Sequence, residues 1–98
     1  MTVAGALFAA SLYAGLNVAD YKSAYPIPAG YHEQPLAQAV GPVRARVLSA
    51  LAFTTADLAI QSGHHRKGVW FFRAGVFVYE GFAVYSNERN KRRANAAR

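Results

Sequence analysis

Thr2 to Ala19 carries no charged side chain over eighteen residues and is rich in Ala, Leu, Val, Phe and Tyr. Such a run sits at the short end of the ~17–25 residues that take a helix across a bilayer. It restricts the start of the chain to a spanning helix, a soluble core helix or a signal-like segment. A secretory signal peptide wants a basic region ahead of its apolar core, and none precedes this run, so a spanning helix is expected over residues 2–19. Small residues recur here at a spacing of four, as Ala6, Ala10 and Ala14, flanked by Gly5, Ser11 and Gly15. In lipid such a row allows close helix packing; it equally fits plain alanine helix propensity.

The remaining chain alternates in the same way. Residues 20–42 bring Tyr21, Tyr25 and Tyr31 together with Pro26, Pro28 and Pro35, which forbid a continuous helix and read as an extended connector at a membrane or subunit surface. Pro42 suits a first helical turn, and helical pattern follows over 43–61 until Gly63. The polar turn His64-His65-Arg66-Lys67 leads into a third segment, 68–86, dense in aromatics, and a polar, basic tail over 87–98 that is expected to fray. The expectation is therefore an all-α integral membrane protein with two to three transmembrane helices (about 2–19, 43–61 and 68–86), the last two forming an antiparallel hairpin. With 98 residues it makes one membrane domain. A hydrophobic content of 53% against 16% charged residues fits a chain that gives its surface to lipid or partner subunits.

Charges interrupt the second and third segments at Asp57, Arg73 and Glu80. At membrane depth such groups are costly and face a bundle interior or a partner. Arg73 and Glu80 are seven apart and Arg46 and Asp57 eleven apart, so each pair shares a helix face. Folded about the His64-His65 turn, the hairpin sets Asp57 level with Arg73 and Arg46 near Glu80. The axial spans differ, ~16 Å against ~10 Å at 1.5 Å rise per residue, a gap that a flexible Arg partly absorbs. Structural ion pairs are expected; a proton relay or quinone site, pairing with other subunits and a soluble hairpin with solvated charges are the other arrangements these residues allow.

The net charge of +6 is concentrated outside the apolar segments. Lys22, Arg44 and Arg46 occupy the first loop, and Arg89, Lys91, Arg92, Arg93 and Arg98 the tail. With three spans these regions share one side, which the positive-inside rule assigns to the cytoplasm or the mitochondrial matrix. Arg44, Arg46, Lys91, Arg92 and Arg93 are expected to meet a partner subunit or anionic lipid such as cardiolipin. Nucleic acid is not an expected partner, because the basic residues bracket apolar helices and do not share one face with aromatics.

The first sixty residues resemble the hypoxia-induced-gene domain family of mitochondrial inner-membrane proteins. The family's Tyr-x-Gly-Leu run has its counterpart in Tyr13-Ala14-Gly15-Leu16, and its Arg-x-Arg motif in Arg44-Ala45-Arg46-Val47. A Thr-containing stretch follows at Leu51-Ala52-Phe53-Thr54-Thr55-Ala56. Val40, Arg44 and Arg46 stand in the family's register, but Ala50 replaces its final Gln, the connector is longer, and 68–86 adds a helix to the simple two-helix domain. The resemblance implies association with cytochrome c oxidase or a respiratory supercomplex, with the Arg-x-Arg loop on the matrix side.

Catalytic chemistry has little to draw on. The chain has no cysteine, and its histidines are His32 in the connector and the His64-His65 pair in a turn, without the fixed face and supporting partners of a metal or haem site. Five acidic residues are spread along the chain, and neither a nucleophile arrangement nor a phosphate loop is present. No enzyme activity, metal or cofactor is expected. The expected role is a non-catalytic accessory subunit or assembly factor of a respiratory membrane complex, in the mitochondrial or else the bacterial inner membrane; a soluble or peripheral helical interaction module with a basic tail is the alternative.

Overall fold

The computed structural model describes residues 2–25, 27, 35–64 and 66–96. It is all-helical: α1 spans Val3–Ala24, α2 Pro35–Val40, α3 Pro42–Ser62 and α4 Arg66–Ala96, with no strand among the described residues. Thr2 caps α1, its Oγ1 accepting from the Gly5 N–H at 3.0 Å, which satisfies one of the donors a helix start leaves open. At the other end Tyr25 is extended (φ −113°, ψ 145°), as expected for a residue that precedes a proline. Gly41 separates α2 from α3 with φ +99°, a left-handed conformation that glycine adopts without a Cβ clash. Pro42 then opens α3 at its first turn, where a missing N–H costs nothing.

The connector and the tail differ from expectation. Residues 20–24 continue α1 and residues 35–40 form α2, so the stretch from Asp20 to Pro42 is not extended throughout; Tyr31, His32 and Glu33 lie outside the described residues. The third helix does not stop at Ser86. It runs unbroken for 31 residues to Ala96, about 46 Å at 1.5 Å per residue. The added turns are rich in good helix formers and are tied to the end of α1. Lys91 donates to the Tyr25 carbonyl at 2.8 Å and to that of Lys22 at 3.4 Å, occupying acceptors that α1's last turn leaves open. Arg93 in the last turn also suits the negative end of the α4 dipole.

α1 and α4 run in the same direction, with α3 antiparallel between their ends: Gln61 reaches Gly5, Arg46 reaches Asp20, and Asn87 reaches Asp20 as well. α1 is the hub, packing more extensively on α3 and on α4 than those two pack on each other. One aromatic from each of the three long helices meets at the centre, with Tyr13, Phe53 and Phe72 at ring separations of 5.8–6.4 Å. Ala9 and Val76 complete this small core.

Burial is inverted relative to a water-soluble bundle. Asn17, Asp20, Ser23, Arg46, Asp57, Arg73 and Glu80 are buried, while the buried hydrophobic side chains are mostly alanine. Large apolar residues face outward, among them Phe71 at 84%, Val78 at 69% and Phe82 at 68% exposure.

Candidate functional site

Two polar layers cross the bundle. The first centres on Asp57, which is fully buried. Arg73 on α4 makes a bidentate pair with it, Nε to Oδ2 at 2.8 Å and Nη2 to Oδ1 at 3.1 Å. The Tyr13 hydroxyl on α1 donates to Oδ2 at 2.5 Å, and Gln61, one turn along α3, donates to Oδ1 at 2.6 Å. Each carboxylate oxygen thus accepts two hydrogen bonds, which fills the roughly four acceptor positions of an ionised carboxyl. The Arg73 guanidinium lies against two rings, 4.7 Å from Phe8 and 4.6 Å from Trp70, a stacking that its weakly hydrated plane favours. A buried pair stabilises only when its remaining donors and acceptors are met, and here the acceptor side is complete.

The second layer centres on Asp20. Arg46 Nε donates to its Oδ2 at 3.1 Å, and Asn87 on α4 donates to its Oδ1 at 3.1 Å and to Ser23 Oγ at 3.1 Å. Asn17 lies between the layers, donating to the Tyr13 carbonyl at 2.9 Å. Both layers therefore join all three long helices.

Of the expected pairs, Asp57 with Arg73 is formed. Arg46 with Glu80 is corrected: Arg46 bonds Asp20, because α1 comes between the ends of the hairpin and offers a nearer carboxylate than the axially offset Glu80. Glu80 is buried at 3% exposure and makes no hydrogen bond or ion pair with another described residue, though it feels the charges of Asp20 and Arg46. Arg44, Arg92 and Arg93 are exposed near the same end of the bundle, and Lys91 is half-buried against α1. The row Ala6, Ala10 and Ala14 is not the packing stripe within the chain: Ala10 and Ala14 are exposed, while Ala9, Tyr13, Asn17, Asp20 and Ala24 are buried. The stripe is rotated by one residue because Tyr13 and Asp20 must reach Asp57 and Arg46.

His64 is exposed and left-handed (φ 58°), and His65 lies outside the described residues. No group of three or more potential metal ligands is present among the described residues. Sequence reasoning missed Tyr13, Asp20, Gln61 and Asn87. The signal for two of them was present: Tyr13, Asn17 and Asp20 follow at i, i+4 and i+7, a polar stripe in an otherwise apolar helix. No protein-family model, curated protein or solved structure matches the chain.

Proposed function

We propose that the protein is a non-catalytic accessory subunit or assembly factor of a respiratory membrane complex, cytochrome c oxidase or a supercomplex, embedded through α1, α3 and α4 in the mitochondrial inner membrane or its bacterial counterpart. The inverted burial carries this reading. In lipid the outward apolar residues meet a matching solvent, and the inward charges avoid it by pairing. Among the described helices only α1 is long and apolar enough to cross a membrane by length and composition. Within the apolar stretches 45–62 of α3 and 68–86 of α4 the charges are Arg46, Asp57, Arg73 and Glu80, each no more than 8% exposed, so composition understates how apolar the outer faces of those stretches are. Saturation of Asp57 favours a structural lock over a proton relay, since no acceptor position is left open. The respiratory assignment rests on the family resemblance; its residues Tyr13 and Arg46 are also anchors of the two polar layers.

Tagged protein is expressed in its host, membranes are washed with alkaline carbonate, and the pellet is solubilised for affinity purification. The expected result is retention in the pellet and co-purification of oxidase or supercomplex subunits. Release by carbonate would establish the peripheral alternative, and a retained protein free of respiratory subunits would remove the respiratory assignment.

A further inference from the structure

A groove of about 410 Å³ runs between α1 and α3 on the outer surface of the bundle. Ala14 and Val18 on α1 and Ala50 and Val47 on α3 form its apolar walls, and Lys22 and Arg46 stand at one end. On α1 the lining passes from Ala14 through Val18 to Lys22; on antiparallel α3 it passes from Ala50 through Val47 and Arg46 to Val43, so the cation at the groove's end is Lys22, with Arg46 beside it. Ala14 to Lys22 covers about 12 Å at 1.5 Å per residue. Val18 and Val47 are 51% and 52% exposed. Ala14 belongs to the outward-turned alanine row, and its small side chain keeps the groove open.

The cationic end is not internally neutralised in full. Arg46 is paired with Asp20, but Lys22 makes no ion pair with a described residue, and Arg44, one position beyond the lining Val43, is exposed. An apolar channel that ends in uncompensated positive charge is complementary to an anionic amphiphile. In a membrane the phospholipids supply that chemistry at high local concentration, and lysines near the surface attract anionic headgroups.

We propose that this groove is a binding site for one anionic phospholipid, an acyl chain lying along Ala14, Val18, Val47 and Ala50 and its phosphate at Lys22. The site rests on the membrane reading above. Full-length protein purified in neutral detergent is given phosphatidylglycerol or phosphatidylcholine with matched chains, and retained lipid is read by native mass spectrometry. Wild type should retain one lipid and prefer phosphatidylglycerol. Lys22→Gln should reduce that preference about fivefold, the equivalent of ~1 kcal/mol per basic residue, and leave phosphatidylcholine unchanged. Ala14→Phe fills the groove from an exposed position and should abolish retention of either lipid at unchanged circular dichroism; Val18→Trp provides the same test if the first variant misfolds. Equal binding of the two lipids, or an undiminished preference in Lys22→Gln, would overturn the site, as would a photocrosslinker at Val47 that captures a protein chain in place of lipid. Carbonate release would overturn the membrane reading and the site together, whereas carbonate-resistant protein with no lipid preference overturns the site alone.

Discussion

Asp57→Asn keeps the shape of the side chain and removes its charge. The Arg73 cation, only 8% exposed, then has no counterion within the first polar layer, and one of the four donors now converging on Asp57 must face an amide N–H. Breaking a buried ion pair by removing one partner costs about 3–5 kcal/mol; the neutral amide can still accept hydrogen bonds, which places this change near the lower figure. Arg73→Gln is the mirror case. It strands Asp57 with only Tyr13 and Gln61 as donors and removes the contacts on Phe8 and Trp70, again about 3 kcal/mol. In the double variant no net charge remains in that layer, and Asn and Gln can bond each other. The expected total is about 3 kcal/mol, half of the additive sum, a coupling at the upper end of the ~0.5–3 kcal/mol seen between contacting residues. The assay is a double-mutant cycle on reversible unfolding in mixed micelles, followed by far-ultraviolet circular dichroism. Single variants that each cost less than about 0.5 kcal/mol, or a double variant equal to the sum of the singles, would refute the pairing as the origin of the stability.

Three further outcomes are expected. Ala9→Leu forces three extra carbons into a fully buried contact and should destabilise by about 1–3 kcal/mol; Ala10→Leu, at an exposed position, should leave the unfolding midpoint of the isolated chain unchanged, and a large effect there would return the packing stripe to Ala10. Asn87→Ala removes donors to Asp20 and Ser23 and should cost about 1.5–3 kcal/mol, the range for hydrogen bonds to a charged acceptor, read by the same unfolding assay; a neutral result would mean that α4 is not fastened there. Cysteines placed at Thr2 and His64 should react with an impermeant maleimide from one side of sealed membranes, and those at Arg44 and Asn95 from the other; a shared side for Thr2 and Arg44 would contradict three spans.

The three long helices were legible in the sequence because uncharged or aromatic runs, Pro42 and Gly63 mark them directly. The Asp57–Arg73 pair was legible too, since a hairpin with a short turn fixes the register of residues near that turn. Arg46 and Glu80 lie farther from it, where the register is loose and the third helix decides. In the sequence Asp20 stands at the change from an uncharged run to a Pro- and Tyr-rich stretch, which hides its role as a carboxylate within a helix that runs to Ala24. The length of α4 was missed for a related reason: its polar end carries no burial pattern of its own, and its order comes from Lys91 and Asn87 gripping the last turn of α1, contacts that join residues more than sixty positions apart.

The two polar layers also bear on biosynthesis. Asp57 leaves the ribosome sixteen residues before Arg73, and Asp20 precedes Arg46 by twenty-six. A nascent chain delivered to a membrane one helix at a time would hold each acid without its base until the next segment arrived. Insertion of α3 and α4 as one unit spares Asp57 that state, whereas Asp20 on α1 stays unmatched until α3 brings Arg46. A chain truncated in the turn after α3 would retain an unmatched aspartate, the kind of exposed defect by which membrane quality control can tell an unfinished protein from a finished one.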